Sequence, residues 1–131
     1  MNQEEDMTRR VAAVVLFAIA FGGGPAIAHH GYAAFDRDHP VSLEGTIEHI
    51  LWAQPHVVLL VATSDAGTYR AEWWNVSRLT QAGVSSDALK VGDRVVVTGA
   101  VNRDPDKRII TLLTEIRRVA DGWRWRDPRK P

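Results

Sequence analysis

Three observations in the sequence predict an all-β fold. Apolar and polar residues alternate from Val41 onward, turn-forming clusters recur between short apolar segments, and only one stretch carries helix start and stop signals. Five strands with one short helix between the third and fourth predict a small OB-like barrel. Closing the sheet protects edges that an open five-stranded sheet would expose.

Each element has a local reason. Val41, Leu43, Ile47 and Leu51 share one side of the first strand, and Ser42, Glu44, Thr46 and Glu48 share the other. That register also puts His49 on the apolar side, where it is expected as a core histidine. Gly45 has no side chain to pack, so it predicts a bend or bulge where the sheet curls. Pro55 ends the segment, and Val57 to Val61 forms a second, more fully buried strand. Ser64-Asp65-Ala66-Gly67 then turns the chain into a third strand, Thr68 to Trp74.

Asn75 to Gly83, with Asn75 or Ser77 as N-cap and a terminating glycine, is the helix. Leu89 to Asp93 is a turn into the fourth strand, Arg94 to Val101. The polar loop Asn102 to Asp106 precedes the fifth, Arg108 to Val119. The basic, aromatic tail from 121 to 131 contains Trp123 and Trp125. Whether these dock on the barrel is left open by the sequence.

A chain of 131 residues with 45% hydrophobic composition fits one ordinary core. Lys plus Arg and Asp plus Glu both number 16, so no global field favours nucleic acid or an anionic membrane. No nucleic-acid partner is expected. The absence of cysteine excludes disulfides, thiolate catalysis and thiolate metal sites. A metal here must sit on imidazole, carboxylate or the chain terminus.

Arg9-Arg10, the uncharged run Val11 to Phe21, the break Gly22-Gly23-Gly24-Pro25 and then Ala26-Ile27-Ala28 follow the order of a secretory signal with an Ala-x-Ala cleavage site. The apolar core is shorter than the roughly 20 residues a bilayer span needs, so no membrane span is expected after cleavage. Residues 1–28 are therefore expected to be a signal peptide, 29–40 a histidine-containing arm, 41–120 the barrel and 121–131 the tail. Localisation is expected to be periplasmic or secreted. Glu4, Glu5 and Asp6 fit a signal's basic start poorly, and Met7 is an alternative start. Thr8-Arg9-Arg10 also invites a twin-arginine route.

Ala28-His29-His30-Gly31-Tyr32, Val41-Ser42-Leu43-Glu44-Gly45-Thr46-Ile47, Trp52-Ala53-Gln54-Pro55-His56, and Leu79, Gly83 and Leu89-Lys90-Val91-Gly92-Asp93-Arg94-Val95 form one combination. By that combination the chain resembles a family of short exported bacterial proteins of unassigned function. The family usually has Ser-Phe where this chain has Gly31-Tyr32, Asn in place of Gln54, and a single tryptophan where this chain has Trp73-Trp74. The resemblance implies export and an OB-like barrel, and it supplies no activity.

Cleavage after Ala28 would give His29 both an imidazole and a free amine. Those two donors can chelate one metal ion, and a further imidazole completes a T-shaped brace suited to copper(II). His56 is the candidate further donor, and His30 is the alternative. The opposing reading is a solvated, idle terminus. His39, beside Pro40, is expected to be merely exposed.

Alternation sends Trp73 to the core with Tyr69 and Ala71, and Trp74 to the opposite face with Arg70 and Glu72. Trp74 and Trp52 are thus candidates for a ligand-stacking platform. No catalytic residue is identified. Function is expected to be that of a non-enzymatic binding module for a small ligand or an envelope protein, with copper binding in metal handling or redox chemistry as the alternative.

Overall fold

The computed structural model describes residues 31–130, and within these the strands follow from the alternation. β1 (Val41–Leu51) is long enough to serve two neighbours. Its first half pairs antiparallel with β4 (Arg94–Val101), from Val41 opposite Gly99 to Thr46 opposite Arg94. Its second half pairs with β2 (Val58–Thr63), from Thr46 opposite Ala62 to Leu51 opposite Val58. β2 continues through the turn to β3 (Gly67–Glu72).

The sheet order β3-β2-β1-β4-β5 closes on itself because β3 also pairs, in parallel, with β5 (Ile109–Arg118) through Arg70 opposite Ile109 and Ala71 opposite Ile110. The result is the closed five-stranded barrel that the sequence predicts, with one short helix, α1 (Val76–Gln81), between β3 and β4. Asn75 caps α1, its side-chain oxygen accepting from the Arg78 N–H at 2.9 Å. Leu79 on α1 is fully buried.

Two details of β1 differ from simple alternation. The register jumps between Ile47 opposite Val61 and His49 opposite Leu60, so Glu48 is the extra residue of a bulge. The bulge inverts the phase: His49 and Leu51, expected on the apolar side, are exposed, and Ile50 turns inward. His49 is therefore not a core histidine. Gly45 stays in regular register opposite Val95, three residues before the bulge. What demands glycine there is close approach, because a Cβ would fall on the Ala62 carbonyl oxygen and 2.8 Å from Val61 Cγ1.

β5 carries a second irregularity. Thr98 pairs with Glu115 while Ala100 pairs with Thr111, so residues 112–114 form a bulge and Leu112 takes a φ of 49°. Gly99 permits this, since a Cβ there would lie 2.6 Å from the Thr111 carbonyl oxygen.

The segment expected as a tail forms a sixth strand, β6 (Arg124–Arg126), on the second half of β5, with Trp125 opposite Ile116. Trp125 is 5% exposed and joins Trp73, Ile47, Leu59, Val97, Leu113 and Ile116 in one core. Trp73 meets it edge-on at 5.2 Å between ring centroids. Residues 32–36 dock at the end of β4: Phe35 bridges Asn102, and the Asp36 N–H donates to the Val101 carbonyl at 2.9 Å.

Candidate functional site

The corner between β1 and β2 is held against the end of β3 by main-chain hydrogen bonds. The Trp73 N–H donates to Val57 at 2.8 Å, and the Val57 N–H donates to Trp74 at 3.1 Å. His56 therefore stands beside Trp73 even though it is itself exposed. Its Nδ1 lies 3.2 Å from the Trp73 carbonyl oxygen. A carbonyl can only accept, so this contact puts a proton on Nδ1, which in the neutral ring leaves the lone pair on Nε2. Metal-ligating histidines commonly donate their other ring N–H to a carbonyl in this way.

His29 and His30 lie outside the described residues. Among the described residues no three His, Asp or Glu side chains gather as a metal-binding group, so further donors to an ion on His56 would come from elsewhere. His39 is exposed, as expected, with its Nδ1 3.2 Å from an Asp36 carboxylate oxygen.

The tryptophans divide as the alternation predicts for Trp73, which is buried. Trp52 and Trp74 are both half-buried and pack on the core. The ring of Trp74 is already engaged within the chain. The Arg78 guanidinium lies 3.7 Å from its centroid, that of Arg129 lies 5.2 Å away, and Trp125 meets it edge-on at 5.0 Å. Trp74 thus has Trp125, rather than Trp52, as its ring partner.

Arg129 is anchored in turn by the buried Asp127, to which it donates from Nε at 3.0 Å and Nη2 at 2.8 Å. That hydrogen-bonded pair lowers the Asp127 carboxyl below its ordinary range against the opposing effect of burial, and it raises the arginine. The indole N–H groups of Trp73 and Trp125 are buried with no nitrogen or oxygen acceptor.

Sequence reasoning missed one feature, a groove on the outer face of β4, β5 and β6 lined by Thr98, Thr114, Glu115, Arg126 and Lys130. Its residues are distant in sequence and are joined only by strand register. The one available signal was Arg124-x-Arg126, two cations that must share a face if the segment is a strand.

No helix among the described residues is long and apolar enough to cross a membrane. No curated protein matches the chain. A solved structure, the crystal structure of TiaS in complex with a tRNA and ATP, is similar over 64% of this chain and 19% of that chain, at 19% identity and a TM-score of 0.47, a likeness too slight to bear on function. The model of the Family of unknown function (DUF6152) matches residues 17–110, most of the barrel together with residues that precede it. By that match the chain belongs to the DUF6152 family.

Proposed function

We propose that this protein is an exported binding module whose ligand is a copper(II) ion, held by His56 together with the terminal amine and imidazole that His29 acquires on cleavage after Ala28. The single observation that carries this reading is the ring of His56, an exposed residue whose Nδ1 lies 3.2 Å from the Trp73 carbonyl oxygen. The contact with the Trp73 carbonyl restricts this imidazole before any ion arrives, so less conformational freedom is lost on binding. Nitrogen donors of this kind favour copper(II) within the divalent first-row series. His30 is the alternative donor, through the amide between it and His29.

In this reading the barrel is a scaffold and the terminus supplies the chelate. The protein would carry copper outside the cytoplasm, alone or toward an envelope partner. The test is intact mass spectrometry of the exported protein under native conditions, with and without copper. The expected result is a chain beginning at His29 that gains one copper ion. A chain that begins elsewhere and gains none would overturn the proposal.

A further inference from the structure

The neutral total charge of the chain hides a local excess. Residues 115–130 carry six cationic side chains and three acidic ones. β6 lies beside β5 with Glu115 opposite Arg126 and Arg117 opposite Arg124. These four side chains share the face opposite the buried Ile116 and Trp125. Glu115 is the acid between them, accepting from Arg126 Nε at 2.7 Å and lying 3.7 Å from Arg124 Nε.

One carboxylate thus faces three arginines. Arg117 and Arg124 sit directly across the ladder as like charges, an arrangement that is unfavourable without a counter-charge. Among the described residues neither Arg117 nor Lys130 makes an ion pair.

The groove opens on this face. It holds about 360 Å³ between Lys130, Arg126, Glu115 and the hydroxyls of Thr98 and Thr114. Thr98 Oγ1 shares a 2.8 Å hydrogen bond with Ser42, so with Ser42 as donor its own proton is available to a ligand. The volume falls at the lower end of small-molecule sites. The bulge at 112–114 brings Thr114 and Glu115 opposite Thr98 and so shapes one wall.

We propose that this groove binds a phosphate group, with Lys130 and Arg126 as charged donors, Thr98 as a hydroxyl donor, and Arg117 and Arg124 supplying the surrounding positive field. Four cations against one carboxylate suit the charge of a phosphate monoester, about −1.5 to −2 at neutral pH, better than that of a single carboxylate. Tetrahedral oxygens also accept from ammonium, guanidinium and hydroxyl groups arriving from different sides. The same chemistry is offered by a soluble phosphate and by a lipid phosphomonoester. This site is separate from the His56 corner and does not depend on copper.

The experiment titrates the full-length protein with inorganic phosphate by calorimetry, and separately floats it with phosphatidylcholine vesicles with and without phosphatidic acid. Saturable 1:1 binding of phosphate supports the proposal with a soluble ligand, and flotation only with phosphatidic acid supports it with a lipid one. In either arm Lys130→Gln and Arg117→Gln should each weaken binding about three- to fivefold and about tenfold or more together, the scale of exposed charge pairs. Lys107→Gln, on the loop between β4 and β5, should leave binding unchanged. Melting temperatures of the variants, measured without ligand, separate lost binding from lost folding. Equal loss in Lys107→Gln, or no binding in both arms, would overturn the phosphate site.

Discussion

The Nδ1 of His56 lies 3.2 Å from the main-chain oxygen of Trp73, 17 residues further along the chain. The partner is a carbonyl at the end of β3, beside a buried indole, so the imidazole is oriented by the barrel rather than by its own loop. Replacing the Trp73 side chain should disturb this contact only through packing. Removing the imidazole should leave the barrel intact. His56→Ala is accordingly expected to change stability by no more than about 1 kcal/mol, the scale of one net hydrogen bond. Chemical denaturation checks this, and a loss of several kcal/mol would make His56 a structural residue instead.

Gly45→Val should be strongly destabilising, because the new Cβ would collide with the Ala62 carbonyl and the Val61 side chain. The expected loss is about 2 kcal/mol or more, at the upper end of overpacking in a well-filled core. Urea unfolding measures it. An unchanged midpoint would mean that β1 and β2 do not cross so closely at this point.

Trp125→Ala should cost about 3–5 kcal/mol, the range for truncating a large buried aromatic. The residue is 5% exposed and makes edge-on contacts with both Trp73 and Trp74. A chain cut before Trp123 should be destabilised at least as much. Equal stability of the truncated and full chains would show that β6 is not part of the core.

Asp121 links stability to acid. It accepts from Arg118 Nε at 2.9 Å and Nη2 at 2.8 Å and from the Trp123 N–H at 3.0 Å. The hydrogen bond from Arg118, followed by that from Trp123, lowers its carboxyl from the ordinary 3.8 to about 2. A carboxyl lowered on folding contributes stability above its unfolded value and loses that contribution as pH falls through the folded value. Asp121→Asn should therefore flatten the stability profile between about pH 4 and pH 2, while near neutrality the variant is simply less stable. An unchanged acid limb would mean that the Arg118 pair contributes nothing to folding.

The order of strands, the helix between β3 and β4 and the burial of Trp73 were legible because each depends on local alternation, turn residues or capping. The exposure of His49 was not legible. A single extra residue at Glu48 inverts the phase, and nothing in Ile47-Glu48-His49-Ile50 marks where the extra residue falls. The docking of Trp125 was open because three residues of alternating Arg and Trp fit a strand or a loose end equally well until β5 offers a partner. His56 was legible only as a candidate donor, from its place after Pro55. Its orientation by Trp73 is a contact between distant segments, and the phosphate groove likewise exists only through register.

The copper proposal is tested most directly by electron paramagnetic resonance during copper(II) titration of protein beginning at His29, of the same protein with one residue added before His29, and of its His56→Ala variant. One ion per chain is expected for the first. Its nitrogen-coupled spectrum should be lost or altered in the extended protein and should show one fewer imidazole in His56→Ala. Affinity should also fall as the solution is acidified, because coordination requires deprotonated nitrogen. Identical spectra and affinities for all three proteins would contradict a site shared between the chain terminus and the His56 corner.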